Sequence, residues 1–155
     1  MMNKKEFYII AHNIRSLYNI GTMFRTADAL GASLILSGYS GHPPRKEISK
    51  VALGAEESVY WEYHKNISTL LRKLKKSGFT IIALEKTDKA INYLDFKPKF
   101  PLALLVGNEV RGISPQLLKQ ADQIIALPMN GEKESLNVGV AMAVAGYYII
   151  SKNML

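Results

Sequence analysis

At 155 residues the chain has the length of one domain, and its composition, 48% hydrophobic and 21% charged with 11 glycines and 6 prolines, excludes disordered, collagenous and low-complexity classes. The absence of cysteine removes disulfide scaffolds, thiolate metal sites, iron–sulfur clusters and cysteine nucleophiles at once, and fits a reducing cytoplasm. Twenty Lys and Arg against thirteen Asp and Glu give +7, a charge that attracts polyanions and makes nucleic acid the first partner to consider beside a plain solubility role.

Residues 7–10 read as a first strand, after which Ile20, Met23, Phe24, Ala27 and Leu30 recur at helical spacing with Gly31 as the stop. Residues 33–36 form the second strand. The stretch 38–46, with Gly41, Pro43 and Pro44, is a loop, followed by a short helix near 48–53 and a strand near 58–62. Asn66 can cap a basic helix that runs to Lys76 and ends at Gly78; its Arg72, Lys73, Lys75 and Lys76 read as a solvated face. A strand at 79–84 precedes the all-apolar Leu102–Val106, which reads as central and buried on both faces. Ser114 and Pro115 open a short helix, 123–127 is the last strand and 136–151 the last helix. The alternation predicts one α/β domain over residues 1–155, with a mostly parallel sheet and helices on both faces. No signal-peptide core and no run of about 18 apolar residues is present, so neither secretion nor a membrane span is expected.

Three strands end in unusual loops: 79–84 runs into Glu85, 102–106 into Gly107-Asn108-Glu109, and 123–127 into Pro128-Met129-Asn130-Gly131. Ligands of open parallel sheets bind beyond the carboxyl ends of strands, so these loops are the expected address of a cofactor, with Leu84, Leu127 and Met129 as apolar walls. Gly107 and Gly131 would also be needed merely to turn the chain. Neither a Gly-x-x-x-x-Gly-Lys-Ser/Thr loop nor Gly-x-Gly-x-x-Gly occurs, which removes the main support for ATP hydrolysis and dinucleotide chemistry. His12, His42 and His64 lack metal-ligand spacing and read as surface or hydrogen-bonded residues, so no metal is expected. Around the first helix, Asn19 reads as a cap and Arg25 as an i,i+3 partner of Asp28; alternatively, Arg15 and Arg25 meet a phosphate or polarise a hydroxyl at the strand-end crevice. Ser135 and Asn137 can cap the last helix, whose small residues Gly139, Ala141, Ala143, Ala145 and Gly146 suggest close packing against the sheet or a second subunit.

Three ordered motifs weigh these alternatives: Arg15-Ser16-Leu17-Tyr18-Asn19-Ile20-Gly21 with Phe24-Arg25-Thr26-Ala27-Asp28-Ala29-Leu30-Gly31; Leu105-Val106-Gly107-Asn108-Glu109-Val110-Arg111-Gly112-Ile113-Ser114; and Leu127-Pro128-Met129-Asn130-Gly131 with Ser135-Leu136-Asn137-Val138. Together they resemble the motifs of the SPOUT superfamily of RNA methyltransferases, in its SpoU (TrmH-like) branch. The resemblance implies a deep C-terminal trefoil knot whose loops hold S-adenosylmethionine, a homodimer with its active site completed across the interface, and 2′-O-methylation of an RNA ribose. It further implies that Arg25 is catalytic, that Asn19 supports it, and that Glu109, Ser135 and Asn137 shape the site. Cofactor contacts are expected from Leu84, Glu85, Val106, Gly107, Asn108, Leu127, Met129, Ser135 and Leu136. A guanidinium is protonated at neutral pH, so its fitting task is stabilising a developing alkoxide.

The substrate is expected to be tRNA rather than rRNA, since no appended recognition domain is visible. All the excess charge lies in residues 1–100, so the RNA surface is expected there, on Arg15 and on a flexible 38–46 loop carrying His42, Arg45 and Lys46. Two other readings stand beside this one: a non-catalytic RNA-binding protein on the same fold, and an α/β protein that binds another small nucleotide.

Overall fold

A computed structural model describes residues 6–153; residues 1–5 and 154–155, the ends of the expected domain, lie outside the described residues. Within that range the strands are β1 (Phe7–His12), β2 (Ser33–Ser37), β3 (Trp61–His64), β4 (Thr80–Leu84), β5 (Ile91–Asn92), β6 (Leu102–Val106) and β7 (Gln123–Ala126). They form one sheet in the order β3-β2-β1-β6-β4-β7-β5, and every pair is parallel. The all-apolar β6 takes the centre between β1 and β4, with all five residues buried, because covering both faces of the sheet is what lets such a run leave water.

The helices are α1 (Leu17–Leu30), α2 (Lys46–Ala52), α3 (Ala55–Ser58), α4 (Ile67–Lys76), α5 (Pro115–Leu118) and α6 (Val138–Ser151). Alternation along β1 divides the core. Phe7, Ile9 and Ala11 pack with buried residues of α1, α2, α3 and α6, while Ile10 packs with Leu70, Leu71 and Leu74 of α4 and Leu117 of α5. Helices therefore cover both faces, as the sequence predicts.

Four local readings are corrected. Ser16, not Asn19, caps α1: its hydroxyl accepts the Asn19 N–H at 3.1 Å, and Asn19 itself is buried one turn in. Asp28 does not pair with Arg25; its carboxylate accepts from the Ser58 hydroxyl at 3.1 Å. β3 starts at Trp61 rather than near 58, because Leu53 and Gly54 both turn left-handed (φ 52 and 93) and the next four residues coil into α3, closed by the Val59 N–H on the Ala55 carbonyl. The glycines of α6 meet α1 rather than the sheet. A Cβ at Gly146 would sit 2.5 Å from Leu30 Cδ1, and one at Gly139 would sit 3.4 Å from Thr22 Cγ2, so the missing side chains set how closely the two helices approach.

The two-residue β5 and the 3-10 turn Tyr93–Asp95 carry no periodicity that the sequence could show; the Tyr148 hydroxyl of α6 lies 2.8 Å from the carbonyls of Leu94, within that turn, and Phe96, just after it.

Candidate functional site

Because all strands run one way, the carboxyl ends of β4, β6 and β7 lie side by side, and the loops leaving them enclose one cleft with the start of α6. Leu84, Glu85, Val106, Gly107, Asn108, Leu127, Met129, Ser135 and Leu136, the residues expected around a cofactor, all line it, as does Glu109. The sequence reading missed Lys86, Val110, Gly112, Ala126, Glu134, Val138 and Ala141. Adjacency would have found most of them, since Lys86 follows Glu85 and Ala126 precedes Leu127, and Ala141 stands one helical turn beyond Val138.

The loop after β6 is folded back on itself. Gly112 (φ 66) bonds its N–H to the Asn108 carbonyl at 2.9 Å, and a Cβ there would meet Glu85 Oε2 at 2.2 Å; a Cβ on Gly107 would meet the Gly112 carbonyl oxygen at 2.7 Å. Glu85 Oε2 accepts the Ile113 N–H at 2.8 Å, so this carboxylate clamps the loop as well as lining the cleft. Asn108 is buried with its side chain committed. Its Nδ2 donates to the Asn13 carbonyl (3.0 Å) and the Tyr39 phenol oxygen (2.8 Å), and its Oδ1 accepts the Val110 and Arg111 N–H groups (2.9 and 2.8 Å). What Asn108 offers a ligand is backbone.

Glu109 ties that loop to α1. Its carboxylate accepts the Arg15 and Ser16 N–H groups, both at 3.0 Å, and Asn19 Nδ2 at 3.1 Å, a capping box closed from another strand's loop. Partial burial works to raise its pKa, but the donors from Ser16, Arg15, its own backbone and Asn19 outweigh this and hold the carboxyl below its ordinary range. Asn19 Oδ1 in turn accepts from Asn137 Nδ2 at 3.1 Å, and Asn137 Oδ1 caps α6 through the Gly139 and Val140 N–H groups at 2.8 and 3.1 Å. Three motif residues from three distant parts of the chain thus form one chain of hydrogen bonds that fixes two helix starts against the cleft. Ser135, by contrast, is exposed at the cleft without a hydrogen-bond partner among the described residues.

Arg25 is not in the cleft's lining. It stands exposed on α1, beside Asp28, Leu53 and Gly54, about 13 Å along the helix axis from Ser16 at 1.5 Å per residue. Arg15 is exposed where the chain enters α1. Residues 38–40, the start of the 38–46 segment, are tied to the sheet: the Ser40 hydroxyl donates to the Ala11 carbonyl and accepts the Ile14 N–H (both 2.8 Å), Tyr39 N–H bonds Asn13 Oδ1, and the Tyr63 hydroxyl donates to the Gly38 carbonyl. His42 packs its ring against Trp61 and Tyr63, Arg45 Nε lies 3.7 Å from Glu47, and Lys46 opens α2, all three exposed. His12, half-buried against the Ser37 hydroxyl, has its pKa lowered by burial, and His64 lies 2.7 Å from Glu62. Among the described residues no group of three or more His, Asp or Glu could hold a metal ion, and no helix is long and apolar enough to cross a membrane.

The sequence profile of the SpoU rRNA Methylase family matches residues 6–147. The tRNA (guanosine(18)-2′-O)-methyltransferase of Aquifex aeolicus is 32% identical over 145 residues, covering 93% of this chain and 68% of that protein. The crystal structure of an A. aeolicus TrmH/SpoU tRNA modifying enzyme superposes with a TM-score of 0.88 at 29% identity, covering 98% of this chain and 77% of that one. An AdoMet-bound rRNA methyltransferase from Sinorhizobium meliloti superposes with a TM-score of 0.90 at 26% identity, over 98% of this chain and 58% of that one.

Proposed function

The chain belongs to the SpoU rRNA Methylase family, and on that premise we propose that it transfers a methyl group from S-adenosylmethionine to a ribose 2′-hydroxyl of RNA, with tRNA the favoured substrate. The observation that carries this reading is the cleft at the ends of β4, β6 and β7, lined by residues of the second and third motifs and tied to the first through the hydrogen bonds of Glu109 with Arg15, Ser16 and Asn19. Its lining suits the cofactor: Leu84, Leu127, Met129 and Leu136 offer aliphatic surface for a flat purine, while Glu85, Glu134 and Lys86 offer both signs of charge to a zwitterionic tail beside a cationic sulfur. When bound, S-adenosylmethionine supplies an electrophilic methyl group.

The remaining work falls to the chain's own residues. Ser135 and backbone groups of Gly107, Leu127 and Met129 hold the ligand. Glu109, Asn19 and Asn137 act as positioning residues, because their polar atoms are spent on one another and on the helix starts. Arg25 stabilises the oxygen as it loses its proton, a task for a permanently charged donor. Since Arg25 lies outside the cleft of its own chain, it serves the cleft of a second copy. Exposed Tyr18 on α1, and Val140, Val144 and Tyr147 at helical spacing on α6, support such a homodimer. A single domain over 1–155, a cytoplasmic location and a C-terminal trefoil knot belong to the same reading; the knot is supported by β7 lying between β4 and β5 while α6 bonds back to the segment after β5.

Arg25→Ala tests the assignment. Calorimetry is expected to give an affinity for S-adenosylmethionine within about threefold of the unaltered chain, while methyl transfer to RNA falls by about 10²–10³, the usual loss of a transition-state donor. Transfer retained within a few-fold would remove Arg25 from the site, and RNA binding without any cofactor binding would favour the non-catalytic module.

A further inference from the structure

Tyr39 is 58% exposed, yet it is held at both ends. Its N–H bonds Asn13 Oδ1 at 3.0 Å, and its phenol oxygen accepts Asn108 Nδ2 at 2.8 Å. Asn13 reaches it from a left-handed backbone (φ 56) over Gly38, where a Cβ would lie 2.0 Å from the same Oδ1, so the arrangement depends on a glycine at 38. A ring this accessible and this firmly placed gains nothing for the core. It does lower the entropic cost of stacking a flat partner on it.

Two cations share its surroundings. Arg111 is fixed through its N–H on Asn108 Oδ1, and Arg15 through its N–H on Glu109 Oε2, so both backbones lie one hydrogen bond from the Asn108-Glu109 pair that lines the cleft. Both side chains are exposed, and neither is in an ion pair among the described residues, whereas Arg45 is compensated by Glu47. An exposed aromatic face, with guanidiniums free of ion pairs on segments bonded to the same Asn108-Glu109 pair, is the chemistry that single-stranded nucleic acid recognises: bases stack on the ring and phosphates take the charges.

We infer that Tyr39, with Arg15 and Arg111 on the segments bonded to the same Asn108-Glu109 pair, is the stacking platform for an unpaired RNA base at the mouth of the cleft. The inference rests on the RNA reading above and adds Tyr39 and Arg111 to the surface. Because the ring hangs on Asn108, a base stacked there abuts the loop that lines the cofactor cleft.

The test is binding of fluorescently labelled, unfractionated tRNA to the full chain and its variants, with S-adenosylmethionine affinity measured without RNA as a check of the cleft. Tyr39→Leu removes ring and hydroxyl and is expected to weaken tRNA about tenfold, within the range of one lost stacking contact. Tyr39→Phe loses the same hydroxyl but keeps the ring, and is expected to restore most of that affinity. Arg111→Ala is expected to flatten the slope of log affinity against log salt by about 0.7–0.9. Unchanged affinity in Tyr39→Leu, or a loss in Tyr39→Phe as large as in Tyr39→Leu, overturns the platform while leaving RNA binding intact. An unaltered chain that binds no tRNA overturns the RNA reading and the platform with it.

Discussion

Glu109 joins two elements that are far apart in sequence, and its carboxylate accepts all three hydrogen bonds of that junction. Its folded pKa lies below the ordinary carboxylate value, so the stability it contributes is present above that value, about 4.3, and is lost as pH falls through the folded one. Glu109→Gln keeps the size and removes the charge facing the Arg15 and Ser16 N–H groups. It is expected to melt a few degrees below the unaltered chain at pH 7, and the gap is expected to close as pH falls below the ordinary carboxylate range. Thermal melts between pH 3 and 7 check this; a gap of constant size would mean that the carboxylate does not hold the start of α1. The sequence could place Glu109, Asn19 and Asn137 at a site through their motifs. It could not say that each satisfies the next, because hydrogen bonds spanning 90 and 118 residues have no local signature.

Elements with a strong hydrophobic pattern were readable: β1, β6, α1 and α4 lie where apolar runs and spacing put them. Readings failed where a turn's geometry decided. Leu53 takes a left-handed φ that its residue type does not suggest, which moved β3, and β5 is too short to alternate. The α1–α6 contact offers a test of packing. Gly146→Val is expected to destabilise the fold by about 1–3 kcal/mol, the cost of overpacking against Leu30. Gly146→Ala is expected to lose less, because the gain in helix propensity, about 1 kcal/mol, offsets the displacement of one leucine methyl. Urea denaturation of both variants checks the order, and equal losses would mean that Leu30 cannot move.

The sheet order joins these parts into a site. Parallel strands predict that a ligand sits at their carboxyl ends, and the motifs mark which ends, but only the order β6-β4-β7 makes those ends neighbours. Nothing local in the sequence fixes that order, since β7 lies between two strands that precede it in the chain. The same assembly leaves Arg25 outside the cleft it is assigned to serve, which is why catalysis in this account needs a second copy of the chain. Incubating the protein with methyl-labelled S-adenosylmethionine and total RNA, then digesting the RNA to nucleosides, locates the label: it is expected on a ribose 2′-oxygen of tRNA, and label found on a base would contradict the account.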